Sequence, residues 1–496
     1  MGIPSYYKKL IDTVPGLVSK EHPLCDINWL FMDFNCLIYH CIPEIVVESE
    51  FINSIITYCL KVIKEVNPKN VFIAIDGVVP MAKMRQQRLR RFKSAWLSEN
   101  KDWDKDWDKE WDKNAITPGT YFMTNLKKAL ETMLQPNWIL SSSDEPGEGE
   151  HKIMALWRKG TCKGNFVVYG LDADLIVLSM LGHECYNIDN IWLFREEIEQ
   201  KNDTKNETKN DQKYNWFSIN ILKQWLTINV KNPRTFILNY CFALSILGND
   251  FLPSSLGLKM RDDGHHELLR VLTLLTNSLI DPCTLAISLE GIVELFTSLS
   301  LNESVRITKY ITKKQMMANT SSDLNFGEHN WPLSQIKEAV LLDYKKLRRD
   351  WKDKYLAFFD DSIHKICTEY IYGIDWVWAY YTGKNVCFNW SYSYHLPPLW
   401  EWLIQWLSTH SLPEQTILLR ATDIKPVEQL ALVLPLESWS LVPPCKERSL
   451  PIFAPQYYPA TFSFESIGKR YFWECETIIP LPSILEIKEL VTLTFV

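Results

Sequence analysis

The stretch Val71-Phe72-Ile73-Ala74-Ile75-Asp76-Gly77-Val78-Val79-Pro80, running on into MAKMRQQRLRRFKSA (Met81 to Ala95), decides how the chain folds. Five apolar residues end on a single acid, and a Gly-Val-Val-Pro turn follows. The next segment reads as a helix and carries Lys83, Arg85, Arg88, Arg90, Arg91 and Lys93, with no acid between Met81 and Lys93. A short continuous apolar run bounded by a turn reads as a buried strand. An acid at the end of such a strand, beside a cationic helix, suggests a metal site next to a phosphate site.

The same pattern recurs on either side. Trp29-Leu30-Phe31-Met32 runs into Asp33, and a helix carrying Asn35 to His40 follows. Phe51 to Val66 has Ile52, Ile55, Ile56, Leu60 and Ile63 at helical spacing. Asn137 to Leu140 reads as a strand leading to the acidic, Gly-rich Asp144 to Ile153. Asn165 to Tyr169 leads to Leu171-Asp172-Ala173-Asp174, and Ile191 to Phe194 is a further strand. Alternating strands and helices predict an α/β fold with a mostly parallel central sheet flanked by helices. Met1 to Leu17 reads as a short amphipathic helix. Thr117 is placed to cap a helix from Tyr121 to Leu134, and Thr235 to Leu247 is an apolar helix that delivers Gly248-Asn249-Asp250.

Beyond about residue 270 the texture changes to long helical segments, Leu272 to Leu299, Leu333 to Leu356 and Ser362 to Tyr381, rich in Trp, Tyr and Leu. The expected organisation is an α/β domain over 1–270, which includes the basic helix and the acids, and a mainly helical, aromatic-rich companion over 271–496. Pro397 to Pro482 reads as loops and short strands. Lys101 to Lys113 is a four-residue repeat, KDWDKDWDKEWDK, expected to extend the basic helix. On a helix Trp103, Trp107 and Trp111 lie about 40° apart, either on a charge-laced exposed face or as an aromatic stripe that touches a substrate strand. Gln200 to Tyr214 is polar and repetitive and reads as a solvated insertion.

Composition narrows the classes. The 496 residues suffice for two or three domains, and 46% hydrophobic with 23% charged residues is ordinary for a globular protein. The net charge of −7 gives no global nucleic-acid signal, although a local cationic groove is what nucleic acid needs. The twelve Cys form no CxxC pair, which argues against a zinc ribbon or redox dithiol and for reduced core thiols in an intracellular compartment. The N-terminus lacks the apolar core of a signal peptide, and no apolar stretch approaches the ~20 residues of a membrane helix.

Asp33, Asp76, Asp172 and Asp174 each follow an apolar strand, Glu148 and Glu150 follow a turn, and Asp250 ends an apolar helix. In a parallel sheet such strand ends meet on one edge. Seven carboxylates there repel one another unless cations compensate. Two divalent ions ~3.5–4 Å apart supply that compensation in phosphodiester hydrolases. Oxygen ligands without a His or Cys companion favour Mg2+ or Mn2+ over Zn2+. On the basic helix, Lys83, Gln87, Arg90 and Arg91 fall within one arc of about 100° while Arg85 and Arg88 point elsewhere. That face suits a terminal phosphate, since guanidinium groups bind phosphate oxygens bidentately.

These stretches resemble the Xrn-type 5′-to-3′ exoribonucleases, within the PIN-like and flap-nuclease superfamily. The resemblance rests on MGIPSYYKKL, FMDFNCLIYHC, AIDGVVPMAKMRQQRLRRFKSA, ITPGTYFM, PGEGEHKIM, YGLDADLIVLS, LGNDFLP, YIYGIDWVWAYYTGKNVCFNWSYSYH, KPVEQLALVLP and GKRYFWE, in that order. It implies a PIN-like core and a compact form holding both shared regions, without a long C-terminal extension or zinc-knuckle insertion. It implies catalytic metal ligands at Asp33, Asp76, Glu148, Glu150, Asp172, Asp174 and Asp250, and a 5′-monophosphate pocket at Lys83, Gln87, Arg90 and Arg91. Base stacking falls to Trp390 and to Tyr39 or His40. The family's stacking His corresponds to Tyr39, with His40 following, Ser254 stands where relatives carry His, and the aromatic stretch after Trp390 is degraded.

The implied activity is processive removal of mononucleotides from 5′-monophosphorylated single-stranded RNA by a monomer that binds no membrane. A structure-specific flap DNA nuclease is the alternative enzyme, and a catalytically dead RNA-binding scaffold the alternative without chemistry.

Overall fold

The runs that read as buried strands form the middle of a sheet. In this computed structural model, which describes residues 5–44, 46–99, 111–186, 188–197, 213–413 and 416–493, seven strands are β1 (Val18–Ser19), β2 (Trp29–Asp33), β3 (Asn70–Ala74), β4 (Trp138–Ser141), β5 (Asn165–Tyr169), β6 (Asn190–Glu196) and β7 (Tyr214–Ser218). Their order is β1-β7-β6-β5-β2-β3-β4. The run from β4 through β3, β2 and β5 to β6 is parallel, while β7 lies antiparallel on β6 and β1 antiparallel on β7. Leu30, Phe31 and Met32 of β2, Val71 to Ala74 of β3 and Phe166 to Tyr169 of β5 are buried. Helices covering both faces explain why these strands read as unbroken apolar runs rather than alternating ones.

The chain steps outward from β2 to β3 and β4, then returns to β5 on the other side of β2. The strand order therefore reverses between β2 and β5, which opens a crevice beyond their carboxyl ends. Asp33 closes β2 and pairs in register with Ala74, and Met32 pairs with Tyr169. Asp76 and Asp172 follow just beyond those paired residues, so the register brings the acids to one edge.

The chain divides into two compact units, Met1–Val79 with Asp106–Ile237, and Pro80–Lys105 with Leu238–Val496. This differs from a single cut near residue 270. The basic helix, Met81–Glu99, groups with the second unit because its buried face packs on that unit's residues.

The second unit is mainly helical, but two of the three long segments expected there are interrupted. Leu272 to Leu299 is broken after Leu274 and resumes as Leu289–Ser300. In between, the Asp281 carboxylate accepts the N–H groups of Cys283 and Thr284, a turn that competes with helix. Leu333 to Leu356 holds a two-residue hairpin, Leu342–Asp343 against Lys346–Leu347, before a short helix Trp351–Leu356. The third segment is the helix Ile363–Thr382. The region from Pro397 contains the helices Trp400–Leu407 and Pro426–Val433 besides its hairpin.

Smaller expectations also change. Thr120, not Thr117, caps the helix Tyr121–Met133, accepting the Met123 N–H at 3.4 Å, while the Thr117 hydroxyl donates to the Asn114 carbonyl. Tyr214 opens β7 and is buried rather than solvated. Trp103 and Trp107 lie outside the described residues. Trp111 is not on a helix: its ring packs edge-on against Phe51 and Phe122 at 5.2 and 5.1 Å.

Half of the cations of the basic helix hold the second unit together. Arg88 is fully buried and donates to the carbonyls of Leu432 at 2.6 Å, Pro480 at 3.1 Å and Tyr457, with its guanidinium 4.4 Å from the Phe92 ring. Arg85 donates to the Tyr392 carbonyl, and Lys93 to those of Trp473 and Cys475. Burial pushes the Lys93 ammonium down to about 8. Removing Arg88 strands several buried acceptors and opens a cavity. Arg88→Ala is expected to destabilise the protein by about 3–5 kcal/mol, measured by chemical denaturation, whereas Arg90→Ala should stay within about 1 kcal/mol.

Candidate active site

The site builds from the ends of β2, β3 and β5 and from the helix Gly149–Arg158 that follows β4. Asp33 ends β2. The Asp76 backbone N–H donates to Asn35 Oδ1 at 3.1 Å, and Asp76 Oδ1 accepts the Gly149 N–H at 2.7 Å. A carboxylate at a helix N-terminus gains both a hydrogen bond and a favourable helix dipole. Gly149 is needed for space. A Cβ there would lie 2.7 Å from Asp33 Oδ1, 2.9 Å from the Ala74 carbonyl and 3.5 Å from Asp76 Oδ1. Gly170 borders Asp33 too, since its Cβ would lie 3.4 Å from that of Asp33. Two glycines thus leave room around one carboxylate.

Glu148 precedes the helix and Glu150 lies in its first turn, and both are buried. Ligand atoms of Glu148, Glu150 and His151 all lie within 4.8 Å of one another, an arrangement that could hold a metal ion. His151 corrects the oxygen-only donor set, because an imidazole nitrogen is within reach, 3.9 Å from Glu150 Oε1. The spacing hid it: consecutive helical residues point about 100° apart, so the His after Glu150 reads as facing away. Asp174 opens the helix Asp174–Cys185 and is 3% exposed, while Asp172 remains partly exposed. The partly buried Cys36 thiol donates to the Asp33 carbonyl at 2.9 Å. Burial pushes its pKa well up, and the charges of Asp33, Glu196 and Asp172 push it further.

Two buried residues that sequence reasoning passed over brace this edge. Lys152 donates to the carbonyls of Ile75 at 2.6 Å and Ser142 at 2.8 Å, clamping the ends of β3 and β4. Burial lowers its ammonium to about 8, although Asp76, Glu145 and Asp144 oppose the shift. Glu196 accepts from the hydroxyls of Tyr58 at 2.7 Å and Tyr169 at 2.5 Å. Tyr58 in turn stacks on His40, with ring centroids 4.7 Å apart. Tyr39, next in the chain, is 42% exposed.

Asp250 belongs to the second unit, as do Lys83, Gln87, Arg90 and Arg91. Lys83 Nζ lies 2.8 Å from Asp250 Oδ2, and both side chains are largely buried. Burial alone would raise the Asp250 carboxyl, but the charges of Lys83 and Arg90 outweigh it and hold the group below its usual range. Gln86 also reaches Asp250 at 3.5 Å, although the phase argument chose only Gln87. Gln87 and Arg91 are buried, and the Gln87 amide oxygen has no hydrogen-bond partner among the described residues. Trp390 is held between Trp376 and Tyr372 at 5.0 and 5.7 Å, over Gly373, whose Cβ would meet its ring at 2.8 Å.

The oxygen-rich donors and the space kept by Gly149 fit a divalent cation, which Asp33, Asp76, Glu148 and Glu150 would help to hold. Residues 1–197 match the family model described as XRN 5′-3′ exonuclease N-terminus, and residues 344–494 that described as Xrn1 helical domain. The chain belongs to the XRN family. It is 27% identical to human 5′-3′ exoribonuclease 1 and 24% identical to 5′-3′ exoribonuclease 1 of Schizosaccharomyces pombe, in each case over 97% of this chain but over 33% and 47% of the relative. It is 31% identical to 5′-3′ exoribonuclease 2 of S. pombe over 49% of this chain and 31% of the relative. This XRN chain therefore spans less than half the length of these curated relatives. Among the described residues no helix is long and apolar enough to cross a membrane.

Gly149→Ala is expected to push Asp33 and Asp76 out of place and weaken binding of Mn2+ about 10–100-fold, read by calorimetric titration, with little change in far-ultraviolet circular dichroism.

Proposed function

We propose that this protein is a 5′-to-3′ exoribonuclease that degrades 5′-monophosphorylated single-stranded RNA processively to mononucleotides. The observation that carries the reading is the acidic edge at the switch point of the sheet, built around Asp33 and kept open by Gly149. The names of the XRN relatives support the polarity and the RNA substrate.

In this reading Asp33, Asp76, Glu148, Glu150, Asp172, Asp174 and Asp250 hold two Mg2+ or Mn2+ ions. When bound, such ions supply the charge that activates water and stabilises the leaving oxygen. The chain's own residues do the rest. Lys83, Gln87, Arg90 and Arg91 take the 5′-phosphate, and the guanidinium groups fix its orientation bidentately. The burial of Gln87 and Arg91 favours a small terminal phosphate over a bulkier cap. The Asp250 carboxylate holds Lys83 until a phosphate competes for it. Trp390 stacks on the leading bases, together with Tyr39 or His40. Tyr58 supports the His40 ring from behind, which makes His40 the better-braced platform of the two.

Turnover should be strong on 5′-phosphorylated RNA, weak on 5′-hydroxyl RNA, and abolished by EDTA. Equal rates on both RNAs would remove the phosphate-reading role, and preference for flap DNA would reassign the enzyme. Asp172→Ala is expected to lower turnover at least about 10²–10³-fold, the scale of losing one charge-stabilising group in a hydrolytic site. RNA affinity in the same variant, followed by fluorescence anisotropy, should stay close to wild type. Unchanged turnover would exclude Asp172 from the chemistry.

A further inference from the structure

The second unit carries a cationic groove that the catalytic reading does not use. The helix Glu303–Thr320 and the hairpin Leu342–Leu347 line a groove of about 650 Å³. Lys309, Lys313, Lys345 and Lys346 rim it, and Val305 and Met316 contribute apolar surface. Lys313 pairs with Asp262 at 2.8 Å. Among the described residues Lys309, Lys345 and Lys346 have no acidic partner, although Asp343 faces Lys346 in the hairpin register. Three exposed ammonium groups outside any ion pair among the described residues, with Asp343 the one acid in the hairpin, leave a net positive patch on a chain of net charge −7.

The hairpin tip adds an independent observation. Its two-residue turn holds Tyr344 at φ +57°, a region that favours Gly or Asn and that an aromatic residue seldom occupies. The same turn leaves the ring 87% exposed, with Lys345 Nζ 5.7 Å from its centroid. A strained turn that presents an aromatic ring to solvent beside a lysine suits base stacking.

We propose that this groove binds the body of the single-stranded RNA substrate away from its 5′ end, with Tyr344 stacking on a base and Lys309, Lys345 and Lys346 contacting successive phosphates. An acidic peptide would use the same lysines, but it gives no reason for a bare tyrosine ring at the strained position. RNA uses both the charge and the ring. The proposal rests on the exoribonuclease reading for the identity of the substrate. Its consequence is specific: long substrates gain affinity from the groove, and substrates too short to reach it do not.

The test uses the full chain and RNAs of about 40 and about six nucleotides. In EDTA, with the long RNA bearing a 5′-hydroxyl, K309A/K345A/K346A should bind about tenfold more weakly. Its log–log salt slope should fall by about 2, the value for three lost single-strand phosphate contacts. Tyr344→Gly, which relieves the backbone, should bind about fivefold more weakly, and Tyr344→Phe should match wild type. In Mg2+ the triple variant should raise KM for the long 5′-phosphorylated RNA and leave kcat, and all constants for the short one, unchanged. Unaltered affinity and salt slope in the triple variant would overturn the proposal, as would loss of binding to a glutamate-rich peptide while RNA binding is kept. Wild-type enzyme inert on both 5′-phosphorylated RNAs would instead defeat the exoribonuclease reading, because the EDTA titrations contain no hydrolysis.

Discussion

Carboxylates gathered at one edge of a parallel sheet repel one another, and much of the first unit answers that repulsion. Gly149 lends its N–H to Asp76 and its missing side chain to Asp33. Lys152 places a buried cation behind the ends of β3 and β4, where it is hydrogen-bonded to two carbonyls. A buried ammonium is costly unless its protons are satisfied and opposite charge is near, and both conditions hold there. Such a scaffold leaves room for Asp33 and Asp76 around Gly149, with a buried cation behind them.

The basic helix divides its charges between backbone carbonyls and a carboxylate. Arg85, Arg88 and Lys93 spend their donors on backbone carbonyls of the second unit, and Arg88 is fully buried while doing so. An arginine can fill such a place because its planar fork serves several acceptors at once and its charge is spread over the guanidinium. Lys83 instead meets a carboxylate, Asp250, and Gln87 is buried with its amide oxygen unsatisfied among the described residues. One segment thus supplies a rigid base and, a turn away, the groups suited to an anionic end.

The sheet interior was legible because strands buried on both faces read as unbroken apolar runs, and the acids at their ends stood out against them. β1 and β7 were not. β1 has two residues, too few for any period, and β7 begins at the end of a polar stretch that masks Tyr214. The helical region was overread where leucines continue through a turn, since periodicity does not register the carboxylate of Asp281 capturing backbone N–H groups. Thr117 and Thr120 are equally good caps by composition, and only the backbone path shows which hydroxyl faces the Met123 N–H. Phase separated Lys83, Gln87, Arg90 and Arg91 from Arg85 and Arg88, because helix geometry depends on spacing alone.

By itself the sequence determined the α/β class, the strand ends that carry the acids, the order of the motifs and the family they belong to. These follow from local rules: residue type, spacing, and the alternation of apolar and polar runs. Tertiary structure decided which neighbours each charge meets. His151 beside Glu148 and Glu150, Glu196 under Tyr58 and Tyr169, Gln86 at Asp250, and Tyr344 bared at a strained turn all depend on where the backbone carries residues distant in sequence or side chains of ambiguous phase. Electrostatic and steric forces act through space at a few ångströms, so no one-dimensional spacing could have fixed those contacts.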